Sequence, residues 1–379
     1  MADIKTHLRE LSVATTIGLL IQEIKFEISE LYDPRQFLLY AEKVISGDIS
    51  SASNLNNLAK FTDEYKQIIN NGYNLGKTIF ENKHFSFNKT SVITWQGNDT
   101  QKDDPIDITV GNYGFSLKEE SFILENMGLY KLLNCYTGST YKKRHIFKDY
   151  AKAEYEQWFE ITWQEMINIL ANNNCTWNYN NNTRHTRATI TLYNDELVLE
   201  YFNKENSIIS SSLPLCCSIY DFEKWTNNIT REKVFSKFIN TNLEKSTKYN
   251  TAKRQCAIVA TTALAKELND NLNYHSGLPR FLRIHDKEYY YAKTTSTGIK
   301  IFRVPPLSSF GNDIIIESIK SSVPDKQANI LTTIKNNKTG KKLVLRNECR
   351  FSHGQFNGTP EAKMYYEQGG SLEVIYEKI

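Results

Sequence analysis

Between residues 82 and 91 the apolar residues change period, and that change constrains the fold more than any other feature of the chain. Before it, the spacing is helical. Asp33-Pro34 opens a helix, with Asp as N-cap and Pro in the first turn, followed by Phe37, Leu38, Tyr40, Ala41, Val44 and Ile45 on one face. A second helix is expected from Asn54 to Glu81, broken near Gly72. After the change the period is two. Ser91 to Trp95 reads as a strand, and Ile106 to Val110 alternates as a half-buried strand does. Gly111-Asn112-Tyr113-Gly114 supplies turn chemistry and Phe115 to Lys118 a partner strand, so 106–118 forms a β-hairpin.

Further along, the spacing predicts a helix over 119–134 with Ile123, Met127, Tyr130 and Leu133 inward, and another over 148–172. The Asn-rich stretch 171–183 reads as an exposed loop. Residues 186–202 form a hairpin turning at Asn194-Asp195, Ala252 to Leu268 a helix, and the chain from Tyr289 onward mostly strands. A chain that mixes both periods throughout, with 40% hydrophobic and 23% charged residues over 379 positions, is an α/β globular protein of two or three units.

Charge divides the chain. Residues 231–379 hold 24 Lys+Arg against 14 Asp+Glu, a balance of +10, whereas residues 1–230 carry −7. We therefore expect three parts: a helical region over 1–82, a catalytic core over 83–230, and a basic, polyanion-binding region over 231–379. No apolar run approaches the roughly 20 residues that cross a bilayer, and the first residues lack the build of a signal peptide. Six cysteines without a C-x-x-C pair fit reduced thiols and a cytoplasmic location. No G-x-G-x-x-G, G-x-S-x-G or zincin-spaced histidine pair is present, which argues against dinucleotide, serine-hydrolase and zinc chemistry. Gly72-Tyr73-Asn74-Leu75-Gly76-Lys77-Thr78 imitates a phosphate-binding loop, but it is one residue short between its glycines and follows a helical stretch; a helix bend is expected there.

The hairpin carries the chemistry. Asp107 lies on one strand and Lys118 on its partner, both to the same side if the turn sits at 111–114. Carboxylates that hold Mg²⁺ beside a lysine that orients or deprotonates water are what phosphodiester hydrolysis requires. Asp107 is the candidate metal ligand and Lys118 the candidate water-activating group.

In this setting Pro105-Ile106-Asp107 and Ser116-Leu117-Lys118 resemble the half-motifs of the PD-(D/E)xK nuclease superfamily, and within it type II restriction endonucleases. One residue separates Pro105 from Asp107, and Ser116 stands where the superfamily has an acid. The resemblance spans about residues 60–135. It implies a restriction-endonuclease-like core, a mixed β-sheet flanked by helices, with a mixed α/β DNA-recognition region. It implies Mg²⁺ as cofactor, with Asp107 and Glu120 as metal ligands, Lys118 assisting water and Ser116 in a secondary role. Glu119 and Glu125 are weaker substitutes for Glu120, and Glu81 or Glu64 could add an acid from the helix before the hairpin. It also implies double-stranded DNA as substrate, a homodimer, and a cognate DNA methyltransferase in a restriction–modification system. A low-specificity repair or phage nuclease and a non-catalytic DNA-binding protein are the alternatives.

The basic third holds the expected DNA contacts. Lys248, Lys253 and Arg254 crowd the start of the 252–268 helix, where backbone N–H groups favour phosphate. Lys341, Lys342, Arg346, Asn347, Arg350, His353, Gln355 and Asn357 combine backbone-holding cations with side chains that read base edges. Tyr289-Tyr290-Tyr291 reads as a strand of mixed burial.

Overall fold

The computed structural model describes residues 4–47, 49, 62–96, 105–118, 123–137, 146–181, 186–202, 207–271, 277–323, 328–350, 361–367 and 372–379. It is a mixed α/β protein in which helices flank a mixed sheet. The N-terminal helices are α1 (Ile4–Ile21), α2 (Pro34–Val44) and α3 (Thr62–Glu81). Asp33 caps α2 as its sequence demands, its Oδ1 accepting from the amides of Arg35 at 2.8 Å and Gln36 at 3.1 Å. The helix α3 runs unbroken through Gly72 and Gly76, contrary to the expected bend. Both glycines instead face α1. A Cβ on Gly72 would lie 2.5 Å from Ser12 Cβ, and one on Gly76 would lie 2.9 Å from the Val13 carbonyl oxygen. The apparent phosphate loop is a seam where two helix backbones touch.

The first sheet contains β1 (Ile93–Trp95), β2 (Ile108–Val110), β3 (Tyr113–Lys118), β9 (Tyr289–Thr295), β10 (Gly298–Val304) and β15 (Glu377–Lys378), in that spatial order. Its pairings are antiparallel except β3 with β9, where the chain re-enters the sheet at Tyr289, far along the sequence from Lys118. Ile108, Val110, Phe115, Leu117, Tyr290, Ala292 and Ile301 form one face and pack with α1 to α3. Tyr289, Tyr291, Phe302 and Val304 belong to the second core. The three consecutive tyrosines are all buried because both faces of this sheet are covered, which corrects the expectation of mixed burial.

The second core is built on two antiparallel sheets. One comprises β11 (Ile314–Ser322), β12 (Asn329–Asn336), β13 (Lys342–Arg350), β14 (Glu361–Tyr366) and β4 (Ile123–Gly128), crossed by α9 (Thr247–Asp270). The other is a meander of β5 (Thr176–Asn181), β6 (Thr186–Tyr193), β7 (Glu196–Phe202) and β8 (Ile208–Pro214), against α6 (Lys152–Asn172). Asn194 and Asp195 both adopt positive φ, at 47° and 60°, the geometry that a two-residue hairpin turn needs.

Two expectations fail here for tertiary reasons. Residues 123–128 are a strand, paired to β14, so the helix expected over 119–134 begins only at Leu129, as α4 (Leu129–Thr137). Half of the Asn-rich loop, 176–181, is an edge strand paired to β6. Across the expected parts, α1 to α3 pack on a sheet whose other half, β9 and β10, comes from the basic third.

Candidate active site

The site is built at the end of the β2–β3 hairpin. Asp107 immediately precedes β2, and its backbone is fixed from both sides. Its N–H donates to the Phe115 carbonyl at 2.8 Å and its carbonyl accepts from Gln96 N–H at 2.9 Å. Because Ile108 lies opposite Phe115, Asp107 falls opposite Ser116, and the pleat sends Asp107, Ser116 and Lys118 to one face. Asp107 Oδ2 accepts from the Leu117 amide at 2.6 Å and from Lys118 Nζ at 3.3 Å. Both side chains remain partly open, Asp107 at 21% and Lys118 at 25% exposure. Ser116 is buried, in register with Tyr291 of β9.

A second carboxylate arrives from an element the sequence did not single out. Glu10, on the inner face of α1, is 4% exposed and accepts from Trp95 Nε1 at 3.0 Å. Its neighbour Arg9 reaches the Leu117 carbonyl at 3.5 Å, which ties α1 to the end of β3. Burial pushes the Glu10 carboxyl up to about 7, and the negative charge of Asp107 adds to the rise. The Trp95 hydrogen bond and the positive charges of Lys118 and Arg9 pull the other way. Glu10 on α1 thus feels the charges of both Asp107 and Lys118. A sequence signal for Glu10 did exist: Arg9-Glu10 precedes Leu11 to Ile21, eleven residues without a charge, and α1 is buried on nearly every side. An acid on such a helix is costly unless it faces a partner.

The other predicted acids stand elsewhere. Glu81 ends α3, exposed, 3.7 Å from Lys77, and Glu64 pairs with Lys5. Glu119 and Glu120 lie outside the described residues. Glu125 lies in β4, opposite Met364 of β14, and the helical stripe on which Glu120 was placed does not exist, because 123–128 is a strand. Among the described residues no group of three or more His, Cys, Asp or Glu gathers to hold a metal.

Several of the predicted DNA contacts among the described residues of the basic third have partners within the protein. Lys248 Nζ lies 3.8 Å from Glu165, and Lys253 Nζ sits 5.7 Å from the Tyr249 ring centre, while Arg254 is exposed on α9. Lys341 pairs with Glu373 at 3.4 Å and Lys342 with Glu317 at 2.6 Å. Arg346 lies 3.0 Å from both Glu348 and Glu367 and stacks on Tyr365 at 4.3 Å. Asn347, expected to read bases, is buried on the inner face of β13 and donates to Tyr136 Oη at 3.2 Å. Arg350 ends β13, opposite Glu361, and His353, Gln355 and Asn357 lie outside the described residues.

No protein family, no curated protein and no solved structure matches this chain. Among the described residues, no helix is long and apolar enough to cross a membrane.

Proposed function

We propose that the chain is a Mg²⁺-dependent endonuclease that hydrolyses phosphodiester bonds of double-stranded DNA, on a PD-(D/E)xK-like, restriction-endonuclease-like core. The observation that carries this reading is the meeting of the Asp107 carboxylate and the Lys118 ammonium, 3.3 Å apart and partly open, at the end of an antiparallel hairpin. Glu10, whose carboxyl feels both charges, is the candidate for the acid that Ser116 does not supply.

Two carboxylates suit Mg²⁺, which keeps several waters and takes one or two carboxylates plus substrate phosphate oxygens. They suit structural zinc poorly, since that ion wants four nitrogen or sulfur ligands. The raised Glu10 carboxyl fits as well: a divalent cation held by Glu10 and Asp107 would favour the ionised carboxylate that burial, and secondarily the Asp107 charge, disfavour. When bound, the ion would neutralise phosphate charge and acidify water. The chain's own part is positional. Asp107 is locked by the Leu117 amide. Lys118 is held against Asp107, where it can orient the attacking water or stabilise charge on phosphorus. Ser116 is a small, buried neighbour of the pair.

Cutting at defined sites, a homodimer that reads a palindrome, a partner DNA methyltransferase and a cytoplasmic location belong to the same reading. Incubating the protein with plasmid DNA and Mg²⁺ tests it. Discrete fragments are expected with Mg²⁺ and intact plasmid with EDTA. Intact plasmid under both conditions, across several DNA sources, overturns it.

A further inference from the structure

A tyrosine cluster lies beside the hairpin. Tyr289, Tyr291 and Tyr376 are all buried, and the rings of Tyr291 and Tyr376 lie 6.1 Å apart. Backbone satisfies two of the three hydroxyls. Tyr289 Oη donates to the Arg283 carbonyl at 3.0 Å, and Tyr376 Oη donates to the Leu282 carbonyl at 2.6 Å. Tyr291 differs. It is 3% exposed, and its buried hydroxyl has no hydrogen-bond partner among the described residues. A buried hydroxyl without a partner is costly, and native proteins seldom keep one without a use.

The strand register sets this hydroxyl in context. The parallel pairing of β3 with β9 places Tyr291 opposite Ser116, and Ser116 lies opposite Asp107 across the hairpin. Opposed residues of neighbouring strands share a face of the sheet. Asp107, Ser116 and Tyr291 therefore make one row of oxygen-bearing side chains: a carboxylate, a hydroxyl and a phenol. Among the described residues, both hydrogen bonds to the Asp107 carboxylate fall on Oδ2, from the Leu117 amide and Lys118 Nζ. Oδ1 is its other acceptor. Burial holds the Tyr291 phenol above its ordinary range; Tyr289 and the charge of Asp107 add to the rise, and Arg283 opposes it. The Asp107 charge thus reaches Tyr291.

We propose that one buried water joins this row, accepting from the Tyr291 hydroxyl and donating to Asp107 Oδ1 and Ser116 Oγ. Buried waters typically make about three hydrogen bonds to buried polar groups, and the row offers three oxygens of suitable kinds. Two bonds of ~2.8 Å let a water link oxygens up to ~5.6 Å apart, so groups too distant to touch become coupled. Tyr291 is then a positioning residue. It holds the second oxygen of Asp107, as Leu117 and Lys118 hold the first. Ser116, which stands where an acid was expected, supplies the water's third bond. The use of this water in hydrolysis rests on the nuclease reading above; the water site itself stands on register and burial.

Urea unfolding in EDTA tests the water. Tyr291→Phe removes the hydroxyl and keeps the ring. It should lower the urea midpoint, whereas removing a hydroxyl that binds nothing would raise it. The loss should be shared with Asp107: in an Asp107→Ala background, Tyr291→Phe should shift the midpoint much less than it does in the wild type, because the water is already lost. Ser116→Ala serves as the background if Asp107→Ala does not fold. Tyr289→Phe, whose hydroxyl is bound to the Arg283 carbonyl, should shift the midpoint equally in either background. An unchanged or higher midpoint for Tyr291→Phe, or an undiminished shift in the second background, overturns the water. In plasmid cleavage Tyr291→Phe should lower kcat about tenfold at unchanged KM, the usual effect of losing a group that orients a functional carboxylate. An unchanged kcat overturns the positioning role. No cleavage by the wild type overturns the nuclease reading and leaves the water to be judged by unfolding.

Discussion

At the scale of single residues, the site is a balance of charges within one small volume. Asp107 bonds to Lys118, and both lie close enough to Glu10 to shift its carboxyl in opposite directions. Asp107→Asn and Lys118→Ala should each lower Mg²⁺-dependent cleavage by at least ~100-fold, the usual worth of a positioned acid–base or electrostatic group. Circular dichroism should confirm that both variants remain folded, and retained plasmid cleavage by either removes its role. Glu10 makes a separate prediction through stability. Its folded-state value of about 7 lies above the ordinary 4.5, so between these two pH values the folded chain keeps a proton that the unfolded chain has released. Stability from this group therefore falls as pH rises from ~4.5 to ~7 and is level above. Urea titrations of Glu10→Gln should lack that decline, so the variant should exceed the wild type at pH 8. Mg²⁺ should raise the wild-type melting temperature at pH 8 and leave Glu10→Gln unmoved. Equal Mg²⁺ stabilisation of both would separate Glu10 from the metal.

At the scale of elements, local rules governed the outcome where an element packs one face, and failed where two elements share a seam. The cap of α2 and the turns of the hairpins follow directly from Asp33, Gly111 and Asn194-Asp195. Gly72 and Gly76 do not, since their role depends on α1, some sixty residues earlier in the chain. At Gly76 a Cβ meets backbone, the Val13 carbonyl oxygen, which cannot rotate away. Gly76→Ala should therefore cost about 1–3 kcal/mol in denaturant unfolding, the usual penalty of overpacking. Tyr73→Ala, which removes a half-buried ring from the same turn without any clash, provides a comparison of opposite kind. A Gly76→Ala variant as stable as the wild type would show that the seam has room to give.

At the scale of the whole molecule, the candidate site is composite. Its acids and lysine come from α1 and the β2–β3 hairpin, while β9 and β10, from the basic third, complete the sheet on which the hairpin rests. Phe115 and Leu117 are buried against Tyr290, Ala292 and Ile301 as well as against the helices. A fragment ending at residue 230 keeps every predicted catalytic residue and loses those partners. It should give no cooperative thermal transition and no cleavage, whereas two independent domains would leave it folded. Calorimetry distinguishes the two outcomes.

Much of the site was legible before the fold. Asp107 and Lys118 could be paired from sequence because a hairpin is local: two-residue alternation and one turn fix which side chains share a face. The strands of 93–95, 108–118 and 186–202 were accessible for the same reason. Glu10, the glycine seam and the strand at 123–128 could not be read that way. Each depends on a partner far along the chain, and periodicity carries no information about which distant element supplies it. The sequence by itself determined which side chains the hairpin brings together; the tertiary structure alone decided which helix brings Glu10 toward them and which strands complete the sheet on which the hairpin rests, because long-range pairing is selected by burial over the whole molecule.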